Sequence, residues 1–393
     1  MFGSIYIGLS GLAAYSRGLQ QISNNVANLN SQGFKGSTVS FENVLGASSR
    51  SRGGYGDTAG NGVRTAASRL DFAQGELRQT DRDLDLAIQG NGLMMLRRGS
   101  DVAYTRTGSF ELDKDGYIVV TGTDWRLTTL DANGLPQSLS VDVSRTSPPK
   151  ATTKVAFSDN LSSSATNPVT VGSIAVYDAM GTKHVWQAKF AKDVSDDALP
   201  DSWTVTVTDD KDATIGTDTL KFSGGVIDPS TTTLTFTDAA TSTAVAFDFS
   251  SGVTSFSGGE VSTLRAASSD GYGTGTFVSL AVNDQGQVEI SYSNEQKQQL
   301  GTVAIADFRD PSLLTQQPGG LFTVPDTAQR DLLASGDDRV GKVLSRRLEA
   351  SNVDLTLEFS ELILVQRGFQ ASSQIISVTN DMIQQLFGIR GQG

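Results

Sequence analysis

The stretch ISNNVANLNSQGFKGS, residues 22–37, begins on a helical stripe and dissolves into Asn, Gly and Ser within a few residues. Upstream of it, Leu12, Tyr15, Leu19, Ile22, Val26 and Leu29 follow a 3-4-3-4-3 spacing, and Ile5 extends the series one heptad earlier. Such spacing places them on one stripe of a helix. The other faces carry Gly8, Ser10, Ala13, Ala14, Ser16, Gly18 and Gln20, with Arg17 the single charge. Small, uncharged residues all round suit a helix packed closely by neighbours on several sides. Asn24, Asn25, Asn28 and Asn30 then compete for the helix backbone with their own side chains. Gly33 and Gly36 permit backbone angles denied to other residues. The helix is therefore expected to stop here and the chain to turn out of it, with Phe34 an apolar anchor and Lys35 a polar or ionic contact.

A matching stripe reappears only at the far end. Leu355, Leu362, Val365, Phe369, Ile376, Ile383 and Leu386 share a heptad frame, interrupted by Glu358, Ser372 and Thr379. Ser351 or Asn352 is the expected helix cap, Asp354 lies near the positive helix end, and Gly388 is the expected terminator. The two ends are expected to pair as a coiled coil whose polar gaps need further copies of the chain beside them.

Between the helices the chain reads as β structure. GNGLMMLRRG, VAYTRTGSFELDKDGYIVV and DWRLTTLDANGLP alternate strand-like runs with turns at Asp115-Gly116 and Asn133-Gly134. A break follows at Pro148-Pro149, and the Thr-rich strands beyond it fit a sandwich or barrel. From residue 275 the first β pattern resumes, so the Thr-rich unit reads as an insertion. The expected fold is a nested, discontinuous chain, mainly β in the middle, with α-helical coiled-coil ends. Its divisions are terminal helices 1–30 and 352–393, a connecting region 31–75 and 325–351, an inner β domain 76–147 and 276–324, and an outer β domain 148–275. Hinges are expected at 46–62, 145–152 and 268–276.

The 393 residues carry a formal net charge of −12, which argues against a nucleic-acid partner. With no cysteine and only His184, thiolate metal sites, disulfides and a His-based triad have no material. No apolar run reaches the length of a membrane span, so no membrane insertion is expected. The candidate sites also have blander readings. Asp113 and Asp115 lack the distal Glu of a calcium loop and read as a hairpin turn. GYGTGTF, 271–277, lacks the Lys-Ser/Thr of a phosphate loop. His184 reads as a satisfied structural histidine, and Arg97-Arg98 and Arg346-Arg347 read as exposed charges. No cofactor and no catalytic activity are expected.

The motifs SGLAAYSRGLQQISNNVANLNSQGFKGSTVSFENVL and LEASNVDLTLEFSELILVQRGFQASSQIISVTNDMIQQLFGI resemble the two terminal signatures of the bacterial flagellar rod and hook proteins. LRQTDRDLDLAIQGNGLMMLRR, YTRTGSFELDKDGYIVV and GTVAIADFRDPSLLTQQPGGLFTV resemble inner segments of that family, in the family's order. Rod proteins are shorter and lack a large inserted outer domain, so the resemblance is nearest to the hook type. It implies a tubular homopolymer exported through the flagellar type III apparatus and located outside the cell. Its implied partners are the distal rod, the hook cap and the hook-filament junction. The terminal helices would line a central channel, with Ile5, Leu12, Leu19, Ile22 and Val26 packing between subunits. Alternatives are a distal rod protein, a junction or cap protein, and a secreted β-rich enzyme or carbohydrate-binding module.

Overall fold

The structure, a computed structural model, describes residues 2–45, 60–193, 201–325 and 327–390. Residues 46–59 of the first expected hinge, 46–62, lie outside the described residues. Its last three residues begin the strand Gly60–Thr65, which pairs with Phe41–Leu45 and sets Phe41 opposite Thr65. No helix is long and apolar enough to cross a membrane among the described residues.

The chain forms two compact units. The first comprises residues 1–142, 280–290 and 299–393; the second comprises 143–279 and 291–298. Two long helices belong to the first unit, α1 (Phe2–Ala27) and α2 (Leu355–Arg390). Helix α2 runs through Gly388 rather than stopping there. A glycine without an obligatory left-handed turn weakens a helix without ending it.

The β part of the first unit is built on strand Leu93–Arg98, which pairs with Asp101–Thr105, Arg126–Leu130 and Ile305–Phe308. Residues from the two distant chain segments thus share one sheet. Leu93, Met95, Tyr104, Ala304, Ala306, Phe308 and Phe322 form a core on one face, with Tyr104 edge-on to Phe308 at 4.8 Å. The turns are fixed as the sequence implies. Asp113 Oδ1 accepts from the backbone N–H groups of Asp115 (2.9 Å) and Tyr117 (2.7 Å), so this carboxylate closes a hairpin.

In the second unit, long strands run as a meander from Val169–Tyr177 through Lys183–Lys192 and Ser202–Thr208 to Thr214–Ser223. Strand Lys154–Asn160 lies parallel to Thr243–Asp248 and antiparallel to Arg265–Ser269. Alternation puts Phe157, Trp186, Phe190, Trp203, Phe247 and Phe249 into a single core. His184 Nε2 lies 3.3 Å from Asp178 Oδ2 beside a turn of this meander. The two remaining expected hinges fall here, and they are a paired ribbon. Thr146 and Ser147 pair with Thr276 and Gly275, and Lys150 and Tyr272 exchange two backbone bonds of 2.9 Å. Two strands that satisfy each other's backbone groups lose the freedom that either would have alone.

Candidate assembly site: the helix seam and the ion pair beneath it

The spacing of small residues decides how α1 is used. Its buried residues are Gly8, Gly11, Ala14, Gly18, Ile22 and Asn25, which share one face. A Cβ at Gly8 would sit 2.8 Å from Ile376 Cγ1, at Gly11 2.5 Å from Ser372 Oγ, and at Gly18 3.3 Å from Val365 Cγ1. Gly368 of α2 lies beneath the ring of Tyr15 in the same way. Rising numbers on α1 meet falling numbers on α2, so the helices are antiparallel. Glycines let the backbones come close, which no stripe of leucines permits.

The polar interruptions of the second stripe turn out to be its buried face. Glu358, Val365, Ser372 and Thr379 recur every seventh residue and are all buried. Thr379 satisfies its hydroxyl on the Ile375 carbonyl one turn back, at 2.7 Å. Of the apolar positions read from sequence, Ile22 and Val365 are buried in the seam. Ile5, Leu12, Leu19, Val26, Leu362, Ile376 and Ile383 are half-buried, and Leu355, Phe369 and Leu386 are exposed. Leu357, Leu364 and Phe387 of the same helix are also exposed.

The turn-out motif forms a dense polar joint. Asn28 Nδ2 bonds the Asn24 carbonyl at 2.9 Å and reaches Asn24 Oδ1 at 3.2 Å, closing the last turn of α1. Asn25 donates to the Ser37 carbonyl at 2.9 Å and to Glu358 Oε1 at 2.8 Å, while its own oxygen accepts from Ser37 N–H at 3.2 Å. One amide thus ties the end of α1, the outgoing chain and α2 together. Gly33 takes φ +66°, and its N–H donates to the Glu349 carbonyl at 2.9 Å. Phe34 is buried beside it.

Lys35 is fully buried. Its ammonium donates to Glu349 Oε1 and to the Ala73 carbonyl, both at 2.6 Å. Glu349 Oε1 also accepts from Gly75 N–H at 2.9 Å, and Oε2 accepts from Arg106 Nε at 3.0 Å. Arg106 also donates from each terminal nitrogen, to the carbonyls of Gly92 and Gly90. A buried carboxylate between two cations, with both oxygens hydrogen-bonded, avoids the penalty of an orphan charge. Burial pushes the Lys35 ammonium below the ordinary lysine range, and Glu349 pulls it partly back. Sequence reasoning missed Arg106 and Glu349, because nothing around TRTGS or RRLEAS marks either charge as inward.

The start of α2 corrects the expected cap. Asp354 Oδ1 accepts from Thr356 N–H at 2.7 Å and Leu357 N–H at 3.3 Å, so Asp354 is the capping residue. Asn352 instead bridges to the outgoing chain, accepting from Gly36 N–H at 2.8 Å and donating to the Asp71 carbonyl at 2.8 Å. Ser351 holds only Val353 N–H, at 3.3 Å. Gly33, Lys35 and Gly36 therefore clasp the outgoing chain to Glu349 and Asn352 of the returning chain, between the end of α1 and the start of α2.

Four family models match in succession. "Flagella basal body rod protein" covers residues 5–35 and "Flagellar hook protein FlgE/F/G D1 domain" covers 87–146. "Flagellar basal body protein FlaE D2 domain" covers 145–329 and "Flagellar basal body rod FlgEFG protein C-terminal" covers 344–389. The chain is 30% identical to the flagellar hook protein FlgE of Salmonella typhimurium, across 97% of this chain and 98% of that one. It is 26% identical to the flagellar hook protein FlgE of Borreliella burgdorferi, across 99% of this chain and 100% of that one. A crystal structure of Helicobacter pylori flagellar hook protein FlgE2 is 12% identical with a TM-score of 0.49, over 70% of this chain and 99% of that one. The first and last of these models are described as rod-protein models, but the Salmonella match runs nearly end to end in both chains: the chain belongs to the flagellar hook protein family and is a structural subunit of the hook.

Proposed function

We propose that copies of this chain polymerise through the open faces of α1 and α2 into a flexible helical tube that couples rod to filament and transmits torque around a central export channel. The single observation that carries this reading is the direction of α2. Within its own chain it meets α1 through Val365 and the polar Glu358, Ser372 and Thr379, and leaves large apolar side chains in water. Leu364 and Phe387 are each 68% exposed and Leu357 is 60% exposed. A row of apolar side chains along a long helix is a surface for other helices. Contacts that do not close into a ring extend into a helical assembly.

In this reading the terminal helices 1–30 and 352–393 form the channel wall. The connecting region 31–75 and 325–351, the inner β domain 76–147 and 276–324, and the outer β domain 148–275 make up the rest of each subunit. The subunit has no catalytic role, leaves the cell through the flagellar type III apparatus, and meets the distal rod, the hook cap and the hook-filament junction at the ends of its polymer. Leu364→Asp tests the reading, because it changes an exposed position and spares the seam with α1. Electron microscopy is expected to show tubes from the native protein and none from the variant, with unchanged circular dichroism. Tubes of normal yield from Leu364→Asp would remove the open face of α2 from the mechanism.

A further inference from the structure

The sheet of the first unit carries a pair of like charges that the helix reading leaves unused. Strands Leu93–Arg98 and Arg126–Leu130 pair so that Arg97 stands directly opposite Arg126. The same cross-strand row continues to Val102 on one side, and to Val119 and then Glu111 on the other. Its only acid is thus two strands from Arg126, about 9–10 Å at the usual strand spacing. The Arg126 guanidinium lies 3.7 Å over the Tyr117 ring, which fixes its plane and leaves its charge unpaired. The Arg97 side chain has no hydrogen bond or ion pair among the described residues. Its neighbour Arg98 differs, holding Asp101 at 3.3 Å and covering Trp125 at 4.5 Å.

Like charges directly opposite destabilise a sheet. A carboxylate lying between two guanidinium forks reverses the sign of that interaction and matches their geometry. The chain itself offers such carboxylates. The second unit, residues 143–279 and 291–298, carries sixteen Asp and Glu against ten Lys and Arg. Its turn Asp209-Asp210-Lys211-Asp212 is held by Asp209 Oδ1, which accepts from Lys211 N–H at 2.9 Å and Ala213 N–H at 2.8 Å. Asp210 and Asp212 are exposed, and neither side chain has a partner among the described residues.

We propose that Arg97 and Arg126 dock the Asp209–Asp212 turn of a second copy of this chain, as a lateral contact that adds to the helix contacts. The proposal rests on the polymer reading above. Its test uses two full-length variants, Arg97→Glu/Arg126→Glu and Asp210→Lys/Asp212→Lys, with the critical concentration for tube formation read by pelleting. Each variant alone is expected to raise that concentration at least about tenfold, since like-charge juxtaposition at a contact costs more than one decade of affinity. An equimolar mixture is expected to assemble near the native concentration, because glutamates on one chain then meet lysines on the other. Arg97→Gln/Arg126→Gln, with unchanged circular dichroism, is expected to give a smaller rise and guards against misfolding. Variants that assemble like the native chain, or a mixture no better than its components, would overturn the contact. Absence of tubes from the native chain would instead count against the polymer reading.

Discussion

Lys35 and Glu349 are brought together from opposite ends of the chain, and each is 0% exposed at its side chain. Removing one partner of such a pair leaves a charge stranded in low dielectric. Lys35→Met and Glu349→Gln are each expected to destabilise the first unit by roughly 3–5 kcal/mol. Amide exchange in strands Asp85–Gln89 and Thr107–Leu112 is the measurement, and unchanged protection would show that the pair contributes little. Glu358 makes a different case. Burial raises its carboxyl above the ordinary range, with Asn25 opposing and Glu361 reinforcing the shift, and its Oε2 has no hydrogen-bond partner. A carboxyl whose folded value is raised binds more protons folded than unfolded, so stability falls as pH rises through that value. The α1–α2 seam is therefore expected to tighten between neutral and mildly acidic pH, and Glu358→Gln to remove the trend. Protection of α1 amides across that range decides it. The role of Lys35 as a polar or ionic contact was readable from its place in the turn-out motif. The identity of its partner was not, because a charge three hundred residues away leaves no local pattern.

At the scale of elements, both helices and their pairing were legible from heptad spacing, while their antiparallel direction was not. Which faces meet was read less well, for a physical reason. Spacing weighs large apolar residues most heavily, whereas close helix approach favours the smallest. The seam therefore uses Gly8, Gly11 and Gly18 against the heptad of Glu358, Val365, Ser372 and Thr379. Gly8→Val is the direct test. Overpacking costs about 1–3 kcal/mol, so α1 amides are expected to exchange about tenfold faster. An unaltered rate would mean that the helices do not approach as closely as the glycines allow.

For the whole molecule, turn signals and strand alternation made the nested order of β segments visible. They could not show that the two segments at 145–152 and 268–276 meet as a ribbon, since pairing across so long an insertion is not encoded locally. That ribbon continues into a staple. Asp270 accepts from Thr153 N–H and Lys154 N–H at 2.9 and 2.8 Å, and its carboxyl is lowered to about 2. Asp248, against Lys154, is also lowered to about 2. Carboxyls lowered on folding stabilise above their unfolded value and lose that contribution as pH falls through the folded one. The second unit is thus expected to weaken between about pH 4 and pH 2, read by fluorescence of the buried Trp186 and Trp203, with a shallower loss in Asp270→Asn.

The clasp between the outgoing chain at Gly33–Gly36 and the returning chain at Glu349–Asn352 has a mechanical meaning. Pulling on the helices loads two covalent strands at once, and the Gly33–Glu349 and Gly36–Asn352 bonds stitch those strands side by side. Neither strand can stretch without dragging the other. A rotating shaft built from such subunits would hand its load to the β body through a doubled tether, and single-molecule extension would show the joint yielding in one step.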